Sequence, residues 1–474
     1  MLGSDSKQDD VAEKDDQKLI SNLAKKMNSY QTVSISYRIY RRKRNYHSSE
    51  NPDHQSKTPY LVSIGPYNHG NSNLRYMRSM KLKCLKFLTK NSWSRFPTLL
   101  QDFNAIDRDA RRFYGEAEAS EIKTKMKGKK FTNILILDGF FIICYMLSKL
   151  DQKVTEDNPF SGCEKMWMTN LINQDLLFTD NQIPFKVIKI IWKWLDSSNL
   201  YEDLIEVMYK CFMVGYSPIS NAKKETANSK DIHHILDLYH HFIMHEDGPK
   251  PSDKQMDSPS MIHIDIPNEN HDDTERDYTY YFDSIKPIPT ATELEMIGMK
   301  FKLRKQGECS SPLDVKFDKK QGILEIPMIQ MTHSWKAVLQ NVIDFEELTD
   351  GVGTHAIGYV YLMFCLVKNV EDVRILCRKG IIQNKIGTED DMAKFFIDLW
   401  RKSNGFITIF PRKYLFDDIN AYHQSILNFW MTSLINAFKN NPLIFVSVIG
   451  AIIFFSSELI QFIHTLKSLF KGKP

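Results

Sequence analysis

Residues 440 to 457 read NNPLIFVSVIGAIIFFSS, eighteen consecutive uncharged residues, and apolar character continues to Ile463 with Glu458 as the single charge. About 20 helical residues span a bilayer core, so the stretch from Pro442 to Ile463 is long enough to cross one. Lys439 on one side, and Lys467, Lys471 and Lys473 on the other, suit the two headgroup layers. The segment reads as one C-terminal transmembrane helix over 442–463, with Gly450 within it, followed by a Lys-rich tail over 464–474. Glu458 is its costly residue, because a carboxylate at a span's centre costs about 2.5 to 3.5 kcal/mol and less toward the interface. Either Glu458 reaches the headgroup layer, or it marks a self-association face with Gln461 and the small pair Ser447 and Ala451, giving a homo-oligomer.

Upstream, a second apolar run at 131–150, FTNILILDGFFIICYMLSKL, carries Asp138 and Gly139 near its middle. That interruption predicts a buried core helix rather than a second span. A further helix is expected after Pro184, a good first-turn residue, with Asp180 or Asn181 available as cap. Lys186, Lys189 and Lys193 recur there at helical spacing and leave Val187, Ile188, Ile190, Ile191 and Trp194 for the buried side. Asn181 and Gln182 are expected to hold the turn that launches this helix. Thr292 and Glu295 have capping-box spacing for a short helix stopped by Gly298. FKLRK, DVKF and ILEIPMI then read as short strands, the last two joined by a turn at DKKQG. The expected fold class is mainly α with a small antiparallel β element, an α+β domain.

With 474 residues, 42% of them hydrophobic and 25% charged, the chain has the composition of a packed globular protein. Its net charge of +4 is too small to argue for nucleic acid. The expected organisation is a polar, partly disordered arm over 1–58, a helical globular domain over 59–438 with an acidic loop at 244–277, then the span and tail. The loop holds ten acidic residues against three basic ones and four prolines. In the arm, Arg38, Arg41, Arg42, Lys43 and Arg44 stand among tyrosines. They read either as a patch for a membrane surface or anionic partner or as a solvated stretch whose tyrosines pack on the domain. The N-terminus has no apolar region for a secretory signal, and Leu2 stands where myristoylation needs glycine.

No catalytic motif is found: there is no nucleophile elbow, phosphate loop, HExxH pair or EF-hand loop. GVGTHAIG at 351–358 reads as a loop entering a helix. Seven scattered cysteines, an odd number with no CxxC, predict buried thiols rather than disulfides or a metal centre. The sharpest chemical candidate is HHILDLYHHFIMHED, where Asp237, His241 and His245 would share one helix face as weak metal ligands. A metal-dependent or carboxylate-using hydrolase built on Asp138, Asp180 or these histidines is the alternative to a non-enzymatic recognition or protein-interaction module. No cofactor is expected.

Nine strings occur in a defined order: VSIGPYNHG (62–70), ILILDGFFI (134–142), DLLFTDNQIPFKVI (175–188), HHILDL (233–238), ATELEMIGMKFK (291–302), LDVKFDKKQGILEIPMI (313–329), NVIDFEE, VEDVRILCRKGIIQNKIGTEDDMAKFF and the terminal span. In this order the chain resembles a plant family of unknown function, number 247 among such domains, also called uncharacterised protein family 0481. The resemblance implies a plant origin, a helical domain with one C-terminal span, and no established activity; some grass members are implicated in self-incompatibility. It marks Ser63, Gly65, Pro66, Tyr67, Asp138, Gly139, Asn181, Gln182, Pro184, Thr292, Glu295, Gly298, Asn341 and Glu346 as structural motif positions. Asn68, Asp180 and Cys144 depart from the family's usual His, Glu and Glu, a drift that suits structural contacts or a recognition surface better than a catalytic constellation.

The expected partners are membrane lipid, through the C-terminal helix, and an unidentified protein. For topology two arguments conflict. Three lysines in the tail favour a cytosolic tail, whereas a late anchor without an N-terminal signal favours a cytosolic domain. None of the 28 asparagines begins an N-x-[ST] site, and scattered free thiols fit a reducing compartment. The expectation is a single-pass protein of the plasma membrane or endomembranes with its large domain in the cytosol.

Overall fold

In the computed structural model the described residues are 39–40, 58–114, 124, 126, 129–150, 158–161, 166–195, 203–214, 216–229, 231–244, 285–349, 352–385, 387–403, 413–440 and 442–471. Most of the arm expected at 1–58, with its basic run, and the acidic loop at 244–277 beyond Met244 therefore lie outside them.

The organising element is α3 (Lys130–Leu150), in which Phe131 to Met146 is buried almost without a break. It is long and apolar enough to cross a membrane, yet 78% of its apolar window is inside the protein. A helix hydrophobic all round must be covered on all sides. The cover is supplied by α1 (Tyr76–Thr89), α2 (Phe96–Arg112), α5 (Phe185–Leu195) and α6 (Leu204–Phe212), which pack around α3. Gly139 permits the closest of these approaches, since a Cβ there would lie 2.4 Å from Cδ1 of Ile191 on α5. On α5 the buried set is Phe185, Val187, Ile188, Ile191, Trp192 and Trp194, as the lysine spacing predicts apart from Ile190, which is half-buried. The N-terminal half is completed by α4 (Met166–Leu176), α7 (Asn221–Ser229) and α8 (Ile235–Ile243).

The C-terminal half begins with α9 (Ala291–Met296), β1 (Lys300–Arg304), β2 (Lys316–Asp318), β3 (Ile323–Pro327) and β4 (Ile329–Met331). Then come α10 (His333–Leu348), α11 (His355–Leu366), α12 (Val370–Arg378), β5 (Ile382–Asn384) and α13 (Glu389–Lys402). The capping box of α9 is formed by Thr290 and Glu293, not by Thr292 and Glu295; both pairs have the spacing, and only the helix start distinguishes them. Thr292 instead bonds Asp372 through its N–H and hydroxyl, and Glu295 lies 3.7 Å from Lys379. Gly298 stops α9 with φ of 89°, in the left-handed region that glycine enters without a Cβ penalty.

The β element is only partly antiparallel. β2 and β3 form the expected hairpin, but β1 pairs with β3 in parallel and β4 pairs in parallel with β5. The helical and loop segments between paired strands permit this, because a parallel pair needs a crossover that sequence adjacency does not reveal. The halves meet where α10 packs on α4 and α8.

Two long helices end the chain, α14 (Lys413–Asn440) and α15 (Pro442–Lys471). Helix continues through Lys471, so residues expected in a tail from 464 onward extend the helix instead. The apolar stretch Ile449–His464 taken by itself is shorter than a span.

Candidate functional site

The segment Tyr60 to Gly70, which contains SIGPY, carries no regular secondary structure, so its backbone groups need other partners. Three carboxylate and amide side chains supply them. Asp175, at the end of α4, accepts the N–H of Tyr60 on Oδ1 (2.8 Å) and those of Leu61 (2.7 Å) and Val62 (2.8 Å) on Oδ2. Asn181 accepts from Ile64 N–H at 2.7 Å and donates to the carbonyls of Val62 (3.0 Å) and Asp175 (2.9 Å). Asp138 on α3 accepts from Gly65 N–H at 2.7 Å and is ion-paired with Lys81 of α1, which also donates to the Ser63 carbonyl.

Asn181 and Gln182 thus do not cap α5. Asn181 clamps the SIGPY segment, and Gln182 donates to the carbonyls of Leu176 and Phe178, both at 2.8 Å, closing the turn from α4. The carbonyl of Gln182 accepts from the Tyr114 hydroxyl at 3.1 Å. It also lies where a Cβ on Gly65 would be, 2.3 Å away, at a backbone φ of 72°. Glycine is required there twice over, by conformation and by contact. Pro66 is buried, while Tyr67 sets its ring edge-on to Tyr114 with centroids 5.2 Å apart. Asn68 reaches the Asp180 carbonyl at 3.1 Å, and Cys144 is buried in α3.

Burial dominates the electrostatics. It pushes the Asp138 carboxyl above its ordinary range, against the pull of Lys81 and the Gly65 N–H. It pushes Asp175 up to about 6, opposed by its three backbone donors. His69, at the rim, is held down at about 4 by burial and then by the charges of Lys81, Arg78 and Lys130.

A second polar group of contacts joins the two halves. Asn341 on α10 accepts from the N–H of Thr179 (3.0 Å) and pairs with its hydroxyl (2.9 Å), and donates to the Ala337 carbonyl at 2.7 Å. Five residues on, Glu346 accepts the N–H groups of Ala356 (2.8 Å) and Ile357 (3.0 Å) in the first turn of α11, where an anion offsets the helix dipole. His240 of α8 bonds the same carboxylate at 2.8 Å, both side chains having no exposed surface.

Of the metal-ligand face expected from Asp237, His241 and His245, the first two are described and are engaged by protein groups. Asp237 is the third residue of α8; its N–H donates to His234 Nδ1 at 3.1 Å and its carboxylate accepts from His233 N–H at 2.9 Å. His241 faces the Lys223 carbonyl at 3.1 Å. The helix ends at Ile243, with Met244 extended, and His245 lies outside the described residues. Among the described residues no cluster of three metal-ligating side chains occurs. A wide-open hollow of about 430 Å³ lies elsewhere, between Pro287, Pro289, Met296 and His423.

The arrangement anchors backbone. Both oxygens of Asp138, Asp175 and Glu346 are occupied by N–H groups or an ion-pair partner, and none lines a cleft. The structure brings the motif positions Gly65, Asp138, Asn181 and Gln182 together, and sequence reasoning missed Lys81, Asp175 as a carboxylate clamp, and Tyr114.

The profile of a family described as plant protein of unknown function, DUF247, matches residues 39–456. A UPF0481 protein of Arabidopsis thaliana is 26% identical over 344 residues, 71% of this chain and 67% of the relative. A putative UPF0481 protein of the same plant is 21% identical over 438 residues, covering 78% of this chain and 79% of its own length. No solved structure matches the chain.

Proposed function

The chain belongs to the DUF247 family of plant proteins of unknown function, and from that premise we propose that it is a membrane-tethered, non-enzymatic recognition module. The observation that carries this reading is α15. Every described side chain from Val446 to His464 is exposed, and Ile452, Phe454, Phe455 and Ile460 leave 59%, 60%, 70% and 61% of their surface uncovered. Apolar side chains open on every face of one helix have no stable home in water, and a bilayer satisfies them all. Pro442 to Ile463 is the crossing segment, Glu458 lies toward a headgroup layer, and membrane lipid is the first partner.

The non-enzymatic part is supported by the motif carboxylates. A hydrolase built on Asp138 needs an oxygen open to substrate or water, whereas both oxygens of Asp138 hold protein groups in a buried setting. The protein partner is left to recognition by the outer surface.

The large domain is assigned to the cytosol, supported by the absence of N-x-[ST] sites among 28 asparagines and by six described cysteines that are all free thiols. Sealed microsomes carrying the protein with an N-terminal epitope and an added C-terminal glycosylation site test both parts. Alkaline carbonate extraction should leave the chain in the membrane, external protease should destroy the epitope, and the tail should be glycosylated. Release by carbonate would sink the tether, and a protected epitope with an unmodified tail would reverse the topology.

A further inference from the structure

The outward face of α1 is cationic without a counterweight. Arg75, Arg78, Lys83, Lys86 and Lys90 are exposed, and neither α1 nor its flanking residues 72–90 contain an acidic residue. No ion pair forms at Arg75, Arg78, Lys83 or Lys86 among the described residues, and none of the four has a further side-chain partner. At 100° per residue, Arg78, Leu82, Arg75, Lys86, Lys90, Lys83 and Tyr76 fall on one side of the helix. Met77, Met80, Lys81 and Cys84 fill the other side and are buried. Arg75 to Lys86 covers about 17 Å along the axis.

Two large apolar side chains stand open within this charged face, Leu82 at 57% and Tyr76 at 67% exposure. An ordinary solvated helix face mixes both signs of charge and keeps such residues inward. The combination of lysines and arginines with exposed apolar groups on one helix face is that of a surface which settles on anionic lipid, charges at the phosphates and apolar groups at the acyl boundary. The field of this face reaches the SIGPY segment, since Arg78 is among the charges that, after burial, hold the His69 pKa down.

We propose that the outward face of α1, through Arg75, Arg78, Lys83 and Lys86 around Leu82, docks on the anionic leaflet of the membrane that α15 enters. This rests on the membrane-tethered reading and adds to it an orientation: the domain lies against the bilayer instead of standing off from it. The cytosolic leaflet is the anionic one, in agreement with a cytosolic domain. Each cation held near that leaflet strengthens docking roughly fivefold, and salt weakens it.

The test uses the full chain in lipid nanodiscs of phosphatidylcholine alone and of phosphatidylcholine with phosphatidylserine. A neutral acetylating ester labels lysines, and mass spectrometry gives the rate at each site. Lys302 and Lys394, 63% and 67% exposed, are internal references. Labelling of Lys83 and Lys86 relative to the references should fall at least about threefold with phosphatidylserine and recover in high salt. Arg75→Gln with Arg78→Gln should remove most of that protection while leaving the reference rates unchanged.

Equal labelling in both lipids overturns the proposal. Protection of Lys83 and Lys86 by a polyglutamate peptide in neutral nanodiscs, with none from phosphatidylserine, overturns it in favour of an acidic protein partner. Failure of the chain to enter neutral nanodiscs would register against the tether alone. The same labelling with added anionic vesicles then decides the lipid contact separately.

Discussion

Replacing Lys81 by methionine leaves Asp138 in place beneath the SIGPY segment, its carboxylate 1% exposed and its ion-pair partner gone. Removing one member of a buried pair costs about 3 to 5 kcal/mol, because the remaining charge is stranded in a low dielectric. Two further details set the position within that range. The Ser63 carbonyl also loses its donor, which adds to the cost, while the Gly65 N–H still serves Asp138, which limits it. About 4 kcal/mol is therefore expected at pH 7. The double variant Lys81→Met with Asp138→Asn removes the stranded charge but keeps an acceptor for Gly65, and should be more stable than Lys81→Met alone by about 2 kcal/mol or more.

The pH dependence gives an independent check. Burial already raises the Asp138 carboxyl, and loss of Lys81 raises it further. A carboxyl whose folded pKa lies above its unfolded value favours the folded state at low pH and loses that contribution as pH rises through the folded pKa. The deficit of Lys81→Met should therefore shrink on acidification. Urea unfolding of the full chain in neutral nanodiscs, followed by tryptophan fluorescence, supplies the midpoints. A Lys81→Met midpoint within about 1 kcal/mol of the parent at pH 7, or a double variant weaker than the single, would refute the reasoning.

Three other outcomes are expected in the same assay. Gly65→Ala meets both a left-handed φ and the Gln182 carbonyl at 2.3 Å, and should cost about 3 kcal/mol or more. Gly139→Ala meets only side-chain atoms, Cδ1 of Ile191 at 2.4 Å and Cγ1 of Val187 at 3.3 Å, and should cost less, about 1 to 3 kcal/mol; equal effects would contradict the difference in contact. Asn181→Ala orphans three buried backbone groups and should cost roughly 3 kcal/mol, above the 0.5 to 2 kcal/mol or so of a lost helix cap. Between pH 4 and 6 two groups oppose one another. Asp175, pushed up to about 6, makes stability fall as pH rises, and His69, held down at about 4, makes it rise through the same window. Relative to the parent, Asp175→Asn should make stability rise more steeply with pH and His69→Gln should make it fall more steeply; identical slopes in both variants would discount these assignments.

The sequence by itself determined the helical class, the buried nature of the 131–150 helix, the lysine-marked outer face of α5 and the glycine stop after α9. These are local properties: periodicity, composition and a positive φ are written within a few residues of one another. It also marked the family. What each motif residue bonds was decided only by the tertiary structure. Asn181 looks like a helix cap because a helix starts shortly after it, yet two of its three backbone partners are 117 and 119 residues away in sequence. Asp237 and His241 have ligand spacing on one helix face, yet the fold gives them to His233, His234 and the Lys223 carbonyl. The parallel pairing of β1 with β3 and of β4 with β5 likewise depends on crossovers whose direction no short strand encodes. Side-chain types and spacings limit what a residue is able to bond; the packing of α3, α4 and α10 brings the partner within 3 Å and so selects one among those options.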